Sequence, residues 1–208
     1  MEAVRVDPRD ELMREAERLF GSRGVEAVSL RDIVRAAGQR NESAVQYHFG
    51  SKRALVDAVV ATRLTRIEAR RVAMLAKIEA DGAIRNAHRL MAAFVEPLLD
   101  EVLNAAGGED YIRFLAQAIT RPGFDIVAQI AELDLPGMTG VTRYMRALGA
   151  RAPVEIQNLR ERMAIIAIVT GLAGWIAGGR RIPRKRMTKE LIEAGAAILT
   201  ARRAKSKG

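Results

Sequence analysis

Apolar residues recur at helical spacing along this 208-residue chain, and no segment of useful length alternates polar with apolar residues. The first such pattern consists of Leu12, Ala16, Leu19 and Phe20. Apolar residues make up 49% of the chain, enough for a substantial core, but only 4% of residues are aromatic. Strands favour aromatic and β-branched residues, whereas this balance favours helices. The sequence therefore predicts an all-α protein.

Capping residues, glycines and prolines predict where the helices begin and end. Asp7 and Pro8 suit the start of the first helix. Ser29 and Asp32 form a capping box at the start of the second, and Gly38 ends it. Further helices are predicted at about residues 41–49, 52–79, 83–105, 109–120, 124–133, 139–148, 153–177 and 188–203.

Several classes of protein are disfavoured by composition. The chain has no cysteine, which excludes disulfide frameworks, thiol nucleophiles and cysteine-based zinc sites, and indicates an intracellular, cytoplasmic location. The longest uncharged stretch, residues 163–179, is short for a membrane span and contains four glycines. A buried helix is therefore predicted there rather than a membrane helix.

Positive charge is concentrated near the carboxyl terminus. The chain has a net charge of +9, and residues 179–208 contain ten Lys or Arg against two Glu, whereas residues 1–56 contain ten against nine acidic residues. A nucleic-acid interface in the first segment must therefore depend on where side chains are placed rather than on bulk charge. One alternative stays open: the basic tail from about residue 179 could itself bind nucleic acid or an anionic surface without specificity.

Polar residues between the second and third predicted helices point to DNA. The two helices, residues 29–37 and 41–49, are joined by a tight turn, as in a helix-turn-helix. In that motif the start of the second helix meets base edges in the major groove. Gln, Asn and Arg bond to base edges, and Tyr, His and Lys suit phosphate oxygens. Val45 and Phe49 are expected to pack on Ile33 and Val34.

The segment from Leu12 to Val56 resembles the DNA-binding domain of the tetracycline-repressor (TetR) family. The matching elements are Leu19-Phe20, Gly24, Val28-Ser29-Leu30-Arg31-Asp32-Ile33, Ala36-Ala37-Gly38, Tyr47-His48-Phe49 and Ser51-Lys52-Arg53-Ala54-Leu55. Two features depart from the family pattern. The turn is one residue longer than the common form, and Gln46 replaces the more usual first Tyr of the aromatic pair.

The resemblance implies a three-helix DNA-binding domain over residues 1–56 and a helical ligand-binding and dimerisation domain over residues 57–208. It implies a repressor that binds a palindromic operator in double-stranded DNA as a homodimer and is released by a small apolar effector. The residues expected to contact DNA are Ser29, Arg31, Gln39, Arg40, Asn41, Glu42, Ser43, Ala44, Gln46, Tyr47, His48 and Lys52.

Residues 163–175 are apolar nearly all round, so this helix should be buried on most faces. The resemblance implies that it forms a dimer interface with the last helix, and an intrachain core helix is the alternative. The small residues that would allow close approach are Ala167, Gly171, Gly174 and Gly178. The residues that could line an effector cavity, or could equally be ordinary core, are Met91, Phe94, Tyr111, Phe114, Met145, Met163 and Trp175.

The sequence gives little support to an enzyme. Its two histidines, His48 and His88, stand in no recognisable catalytic or metal-ligand spacing. Glu109 and Asp110 are adjacent, so their side chains diverge on a helix and cannot share acid-base work. Neither a catalytic site nor a metal or cofactor is predicted.

Overall fold

The computed structural model describes residues 7–39, 43–120, 133–149 and 152–201. Every regular element within these ranges is a helix, which confirms the predicted all-α fold, and none is long and apolar enough to cross a membrane. The helices are α1 (Pro8–Arg23), α2 (Leu30–Ala36), α3 (Ser43–Phe49), α4 (Lys52–Ala80), α5 (Ala87–Asn104), α6 (Gly108–Ala118), α7 (Pro136–Leu148), α8 (Val154–Ala177) and α9 (Arg184–Thr200).

Local caps set the first two helix starts as predicted. A carboxylate oxygen of Asp7 accepts the Arg9 N–H at 2.9 Å, and Pro8 occupies the first helical position of α1. At α2, the Ser29 hydroxyl accepts the Asp32 N–H at 3.1 Å, and the Asp32 carboxylate accepts the Ser29 N–H at 3.1 Å. These bonds satisfy N–H groups that have no partner within the helix.

Three helices begin three or four residues away from their predicted starts. Helix α5 begins at Ala87 rather than at residue 83, because the Asn86 side chain accepts the Arg89 N–H at 3.1 Å and caps it there. Helix α7 begins at Pro136 rather than at residue 139. Proline suits a first helical position because its missing N–H would have no partner there. The predicted helix at residues 124–133 lies outside the described residues, except for residue 133.

Helix α9 begins at Arg184, directly after Pro183, rather than at residue 188. A helix can start directly after a proline. The N–H that proline lacks is not needed by that helix, and the proline ring clashes only with residues that come before the proline. The first turn of α9 therefore lies within the basic part of the sequence, before the predicted start of the helix.

The chain forms two compact units, residues 1–66 with 101–134, and residues 67–100 with 135–208. It passes from one unit to the other within α4 and again within α5. The first unit therefore combines α1, α2 and α3 with the start of α4, the end of α5 and α6. The predicted boundary after residue 56 separates a DNA-binding domain from a regulatory domain by function, whereas these units are defined by packing. It stays a prediction.

In the first unit, α1 packs closely against α6. A Cβ atom at Gly21 would lie 2.5 Å from the backbone oxygen of Asp110, so this approach requires glycine. The Gln117 side chain donates to the Gly21 carbonyl at 2.9 Å, and the rings of Phe20 and Phe114 lie 5.9 Å apart. These contacts fix α1, against which α2 packs.

A buried arginine on α4, Arg63, joins several parts of the first unit. Its guanidinium donates to both carboxylate oxygens of Glu17 on α1, at 2.9 and 2.6 Å. It also donates to Glu101, at the end of α5, at 2.5 Å and to the Ala106 carbonyl at 2.6 Å. One guanidinium can serve these acceptors together because its N–H groups form a fixed, planar fork.

Both buried carboxylates depend on the Arg63 charge. Burial raises the pKa of Glu17 above its usual range, while the hydrogen bonds and charge of Arg63 act in the opposite direction and favour the carboxylate form. The more exposed Arg66 lies 3.8 Å from Glu101 and contributes less. Removing one partner of a buried ion pair leaves an uncompensated charge, which costs more than the intact pair contributes.

In the second unit, a carboxylate from α4 caps α7. One oxygen of Glu68 accepts the N–H groups of Gly137 at 2.5 Å and Met138 at 3.2 Å, in the first turn of α7. The other oxygen lies 3.3 Å from the buried Arg71, whose guanidinium lies 5.6 Å from the centroid of the Phe94 ring. A negative group at a helix start is stabilising, so Glu68 holds the beginning of α7 against α4.

Arg63→Ala is expected to lower the free energy of unfolding by about 3–5 kcal/mol, because it leaves Glu17 and Glu101 buried without their cation. The matched control is Arg53→Ala on the same helix, which removes an exposed ion pair with Asp57 and should cost less than about 1 kcal/mol. Urea denaturation followed by circular dichroism measures both. If both variants lose the same free energy of unfolding, the buried network stabilises the protein no more than the exposed ion pair does.

Candidate nucleic-acid interface

The start of α2 presents Arg31 to solvent beside the Ser29 cap. The Ser29 hydroxyl also donates to Asp32 at 2.6 Å, and hydrogen bonds from the Ser29 side chain and backbone lower the pKa of Asp32. Asp32 further accepts a bond from Arg35 at 3.1 Å. Ser29 is thus engaged in holding the helix start, while Arg31 is exposed two positions further along.

Glycine is required in the turn between α2 and α3. Gly38 has φ 65°, in the left-handed region that side-chain-bearing residues avoid. Its N–H donates to the Arg35 carbonyl at 3.2 Å, and the Gln39 N–H donates to the Val34 carbonyl at 3.0 Å. This pair of bonds resembles the Schellman pattern, which satisfies the last carbonyls of a helix and reverses the chain. Gly38 therefore ends α2 and begins the turn that follows it.

Helix α3 has one buried side and one exposed side. Val45 is 0% exposed, and Ile33 and Val34 are buried on α2, which packs against α3. Ser43, Gln46 and Tyr47 follow each other at helical spacing on the opposite side of α3 and are exposed. The Tyr47 side chain is 86% exposed, which is unusual for a residue of its size and polarity. One polar face is therefore available to a partner.

Aromatic side chains cluster at the end of α3. The rings of Tyr47 and His48 meet edge to face with centroids 5.0 Å apart, and the ring of Phe49 lies 6.3 Å from that of His48. The guanidinium of Arg9, on α1, lies 5.1 Å from the Phe49 ring centroid. Phe49 is half-buried rather than fully buried, and it connects the end of α3 to α1.

The next helix starts immediately after α3. The Ser51 hydroxyl accepts the Ala54 N–H at 3.1 Å and caps α4. Lys52 is the first residue of α4 and is half-buried. The first turn of α4 has no acidic residue, so the positive end of the helix and the Lys52 ammonium together favour an anion.

The structure brings most of the predicted DNA-contacting residues into the region formed by α2, the turn, α3 and the start of α4. Ser29, Arg31, Ser43, Gln46 and Tyr47 are exposed there. The residues that are half-buried in the same region are Gln39, Ala44, His48 and Lys52. Arg40, Asn41 and Glu42 lie outside the described residues. The contribution of each residue to DNA binding stays a prediction.

The predicted effector-lining residues do not form one group. Tyr111 and Phe114 belong to the first unit, where their rings lie 6.3 Å apart and Phe114 packs against Phe20. The members that belong to the second unit are Met91, Phe94, Met145, Met163 and Trp175. All of these are buried except Met163, which is 48% exposed. A role in binding an effector stays a prediction for this set.

The small residues predicted for dimerisation lie on two sides of α8. A Cβ atom at Gly171 would lie 3.0 Å from the Leu191 side chain, so Gly171 faces α9 of the same chain. Gly174 faces open space, since no described residue approaches within 4 Å of its Cβ position. Ala167 is half-buried, and Gly178 is exposed at the end of the helix.

The side of α8 that contains Gly174 is exposed and, from Met163 to the end of the helix, carries no charge. The residues that it presents at helical spacing are Ile156, Leu159, Met163, Thr170, Gly174 and Ala177. Leu159 is 51% exposed, and both it and Ile156 were missed by the sequence-based prediction. Because residues 163–175 of α8 are apolar on nearly every side, their pattern gave no sign of which side faces solvent. An exposed apolar surface of this kind is typical of an interaction site.

Residues 12–59 match the family model for bacterial regulatory proteins of the tetR family. The match covers the motifs on which the resemblance depends, so the resemblance to the TetR DNA-binding domain is confirmed. Proteins of this family are DNA-binding transcription factors and not enzymes, in agreement with the prediction from the sequence. No curated protein matches the sequence.

Solved structures with a similar fold include several TetR-family regulators. A protein from Shewanella sp. PV-4 assigned to that family has a TM-score of 0.63 at 16% identity, covering 91% of this chain and 96% of its own. PfmR from Thermus thermophilus has a TM-score of 0.54 at 20% identity, covering 96% and 99%. SmeT, the repressor of the Stenotrophomonas maltophilia multidrug efflux pump SmeDEF, has a TM-score of 0.56 at 19% identity, covering 93% and 90%. These likenesses establish the fold.

Val45→Ala is expected to lower the free energy of unfolding by about 1–3 kcal/mol, because it removes buried methyl groups where α3 packs on α2. Tyr47→Ala should change it by less than about 0.5 kcal/mol, since the side chain is exposed. Thermal and urea denaturation measure both values. A larger loss for Tyr47→Ala than for Val45→Ala would contradict the assignment of the buried and exposed sides of α3.

Proposed function

We propose that this TetR-family chain is a ligand-responsive, sequence-specific regulator of transcription that represses by binding a palindromic operator as a homodimer. The observation that carries the proposal is the polar, exposed side of α3, held outward by the burial of Val45 on its other side. A short helix presented in this way after a tight turn fits the major groove, where base edges are distinguishable.

The exposed and half-buried polar residues of this region divide by chemistry into two groups of proposed DNA contacts. Gln39, Ser43 and Gln46 carry amide or hydroxyl groups that can bond to base edges. Tyr47, His48 and Lys52 carry groups suited to phosphate oxygens, and Lys52 adds a positive charge at a helix start. Base contacts would set the operator sequence, and phosphate contacts would set the position of the protein on the duplex.

Lys52→Ala is expected to weaken binding to specific and random duplexes alike and to reduce the slope of log affinity against log salt by about 0.9, because one phosphate contact is lost. His48→Ala should also weaken binding to both duplexes. Fluorescence anisotropy over a range of KCl concentrations measures affinity and slope. The control is Lys77→Ala, an exposed cation of α4 in the other unit. Equal slopes for Lys52→Ala and the control would contradict a phosphate contact by Lys52.

We propose that the uncharged side of α8 is covered by the same helix of a second copy. The Thr170 hydroxyl donates to the Ile166 carbonyl of the same helix at 2.7 Å. Its hydrogen-bond donor is therefore already used and does not need a partner across the interface. Gly174 would let the partner helix approach closely. A two-fold axis would present two α3 helices to a duplex, which is the reason to expect a palindromic operator.

Gly174→Arg is expected to give monomers in sedimentation and operator binding at least about tenfold weaker, because a charged side chain would enter the apolar contact. The Gly174 position is open within the chain, so the monomer should stay folded, whereas Gly171→Arg would disturb packing on Leu191. The matched control is Ala76→Arg on an exposed side of α4, which should remain dimeric. A dimeric Gly174→Arg variant would rule out this surface as the interface.

We propose that a small apolar effector bound in the second unit releases the operator by favouring a spacing of the two α3 helices that no longer matches the groove. An effector can shift such an equilibrium only to the extent that it binds one state more tightly. The support is the large buried apolar interior of that unit, which includes Met91, Phe94 and Met145. The affinity for the operator is measured with and without a panel of apolar compounds. If none of them changes it, the protein has no apolar effector and this proposal is wrong.

A further inference from the structure

One exposed segment of the second unit is strongly and uniformly positive. Residues 180–189, here the basic segment, contain Arg180, Arg181, Arg184, Lys185, Arg186 and Lys189 and no acidic residue. They form the turn after α8 and the first turns of α9, and all six cations are exposed. The helix-turn-helix is in the other unit, so the proposed operator contacts do not account for this charge.

The turn that begins the basic segment is held in place by hydrogen bonds. The Trp175 ring N–H donates to the Ile182 carbonyl at 2.9 Å, and the Arg180 N–H donates to the Trp175 carbonyl at 3.0 Å. Arg180 has φ 56° and is the only described residue other than glycine with a positive φ. Its guanidinium lies 5.9 Å from the Trp175 ring centroid. The cations therefore project from a defined turn and helix.

Few carboxylates offset this charge. Arg184 pairs with Asp100, an acid that Arg70 also contacts, and Arg186 lies at 4.0 Å from Glu190. Within the described ranges, Arg181, Lys185 and Lys189 have no carboxylate within 4 Å. The first turn of α9 also lacks an acidic residue. The cations therefore lie near the positive end of the helix dipole, which is unfavourable for a positive charge. A polyanion would relieve this repulsion.

We propose that the basic segment binds the phosphates of double-stranded DNA without regard to sequence, in addition to the contacts of the helix-turn-helix. Four of its six cations are arginines, whose planar forks match phosphate oxygens. Lys185 and Lys189 lie one helical turn apart, about 6 Å along the axis, so both can reach one backbone. Released counterions would drive this binding, which makes it dependent on salt.

An anionic membrane is the less favoured partner. A segment that lies on a membrane inserts apolar side chains between its cations. In the basic segment Ile182, at 43% exposed, is the one large apolar residue that reaches solvent, and Met187 is buried. Trp175, which could anchor in a headgroup layer, is also buried. The exposed chemistry is almost entirely cationic and fits phosphates spaced along a duplex.

The test uses the full chain with Arg181→Ala, Lys185→Ala and Lys189→Ala combined. Its control combines Lys77→Ala, Arg85→Ala and Arg143→Ala, which remove the same charge from other exposed positions of the second unit. Anisotropy with a labelled random-sequence duplex is measured between about 50 and 200 mM KCl. The basic-segment variant should bind at least about tenfold more weakly, and its salt slope should fall by about 2.7, or roughly 0.9 per lost contact.

The same affinity and slope in the two triple variants would overturn the proposal. So would loss of binding to phosphatidylserine vesicles with DNA binding unchanged, since the segment would then be a membrane contact. This test of the basic segment can fail without affecting the proposed function. The proposed function is tested separately, by the preference of the unaltered protein for a selected operator over random DNA. That preference should persist in the basic-segment variant, because base contacts belong to α3.

Discussion

The burial of Val45 is the contact on which the candidate interface depends. Helix α3 spans Ser43–Phe49, and a helix of about two turns is not stable alone in water. Its orientation must therefore come from packing on α2 and from the turn at Gly38, whose positive φ directs the chain between the two helices. Once Val45 is inside, the period of the helix places Ser43, Gln46 and Tyr47 outside.

The rest of the first unit is joined by a few specific contacts. Gly21 lets α1 approach α6, and Arg63 joins α1 to the end of α5 through Glu17 and Glu101. Charge is used differently in the two units. Both units bury an arginine beside a carboxylate, but the amino-terminal segment of the first is almost neutral, whereas the second displays an excess of cations on the basic segment. The DNA contacts proposed for the first unit therefore depend on the placement of side chains, and those proposed for the second depend on charge density.

Features determined by neighbouring residues were predictable from the sequence, and features determined by distant ones were not. The Asp7 and Ser29 caps and the Gly38 turn are local and were predicted. The start of α7 at Pro136 was missed, because its cap is Glu68, which lies 69 residues before Gly137. The partners of Arg63 are likewise 46 and 38 residues away. The exposed side of α8 was not predicted, because residues 163–175 are apolar on nearly every side of the helix.

The most direct test of the account is selection of bound sequences from a random pool of duplex DNA. The unaltered protein should enrich a palindrome, because two copies of α3 would read two related half-sites. A Gln46→Ala variant should relax the preference at corresponding positions in both halves, since it removes a base-reading group and leaves the buried side of α3 intact. Enrichment of no sequence, or of a sequence without two-fold symmetry, would contradict the account of a dimer that reads DNA through α3.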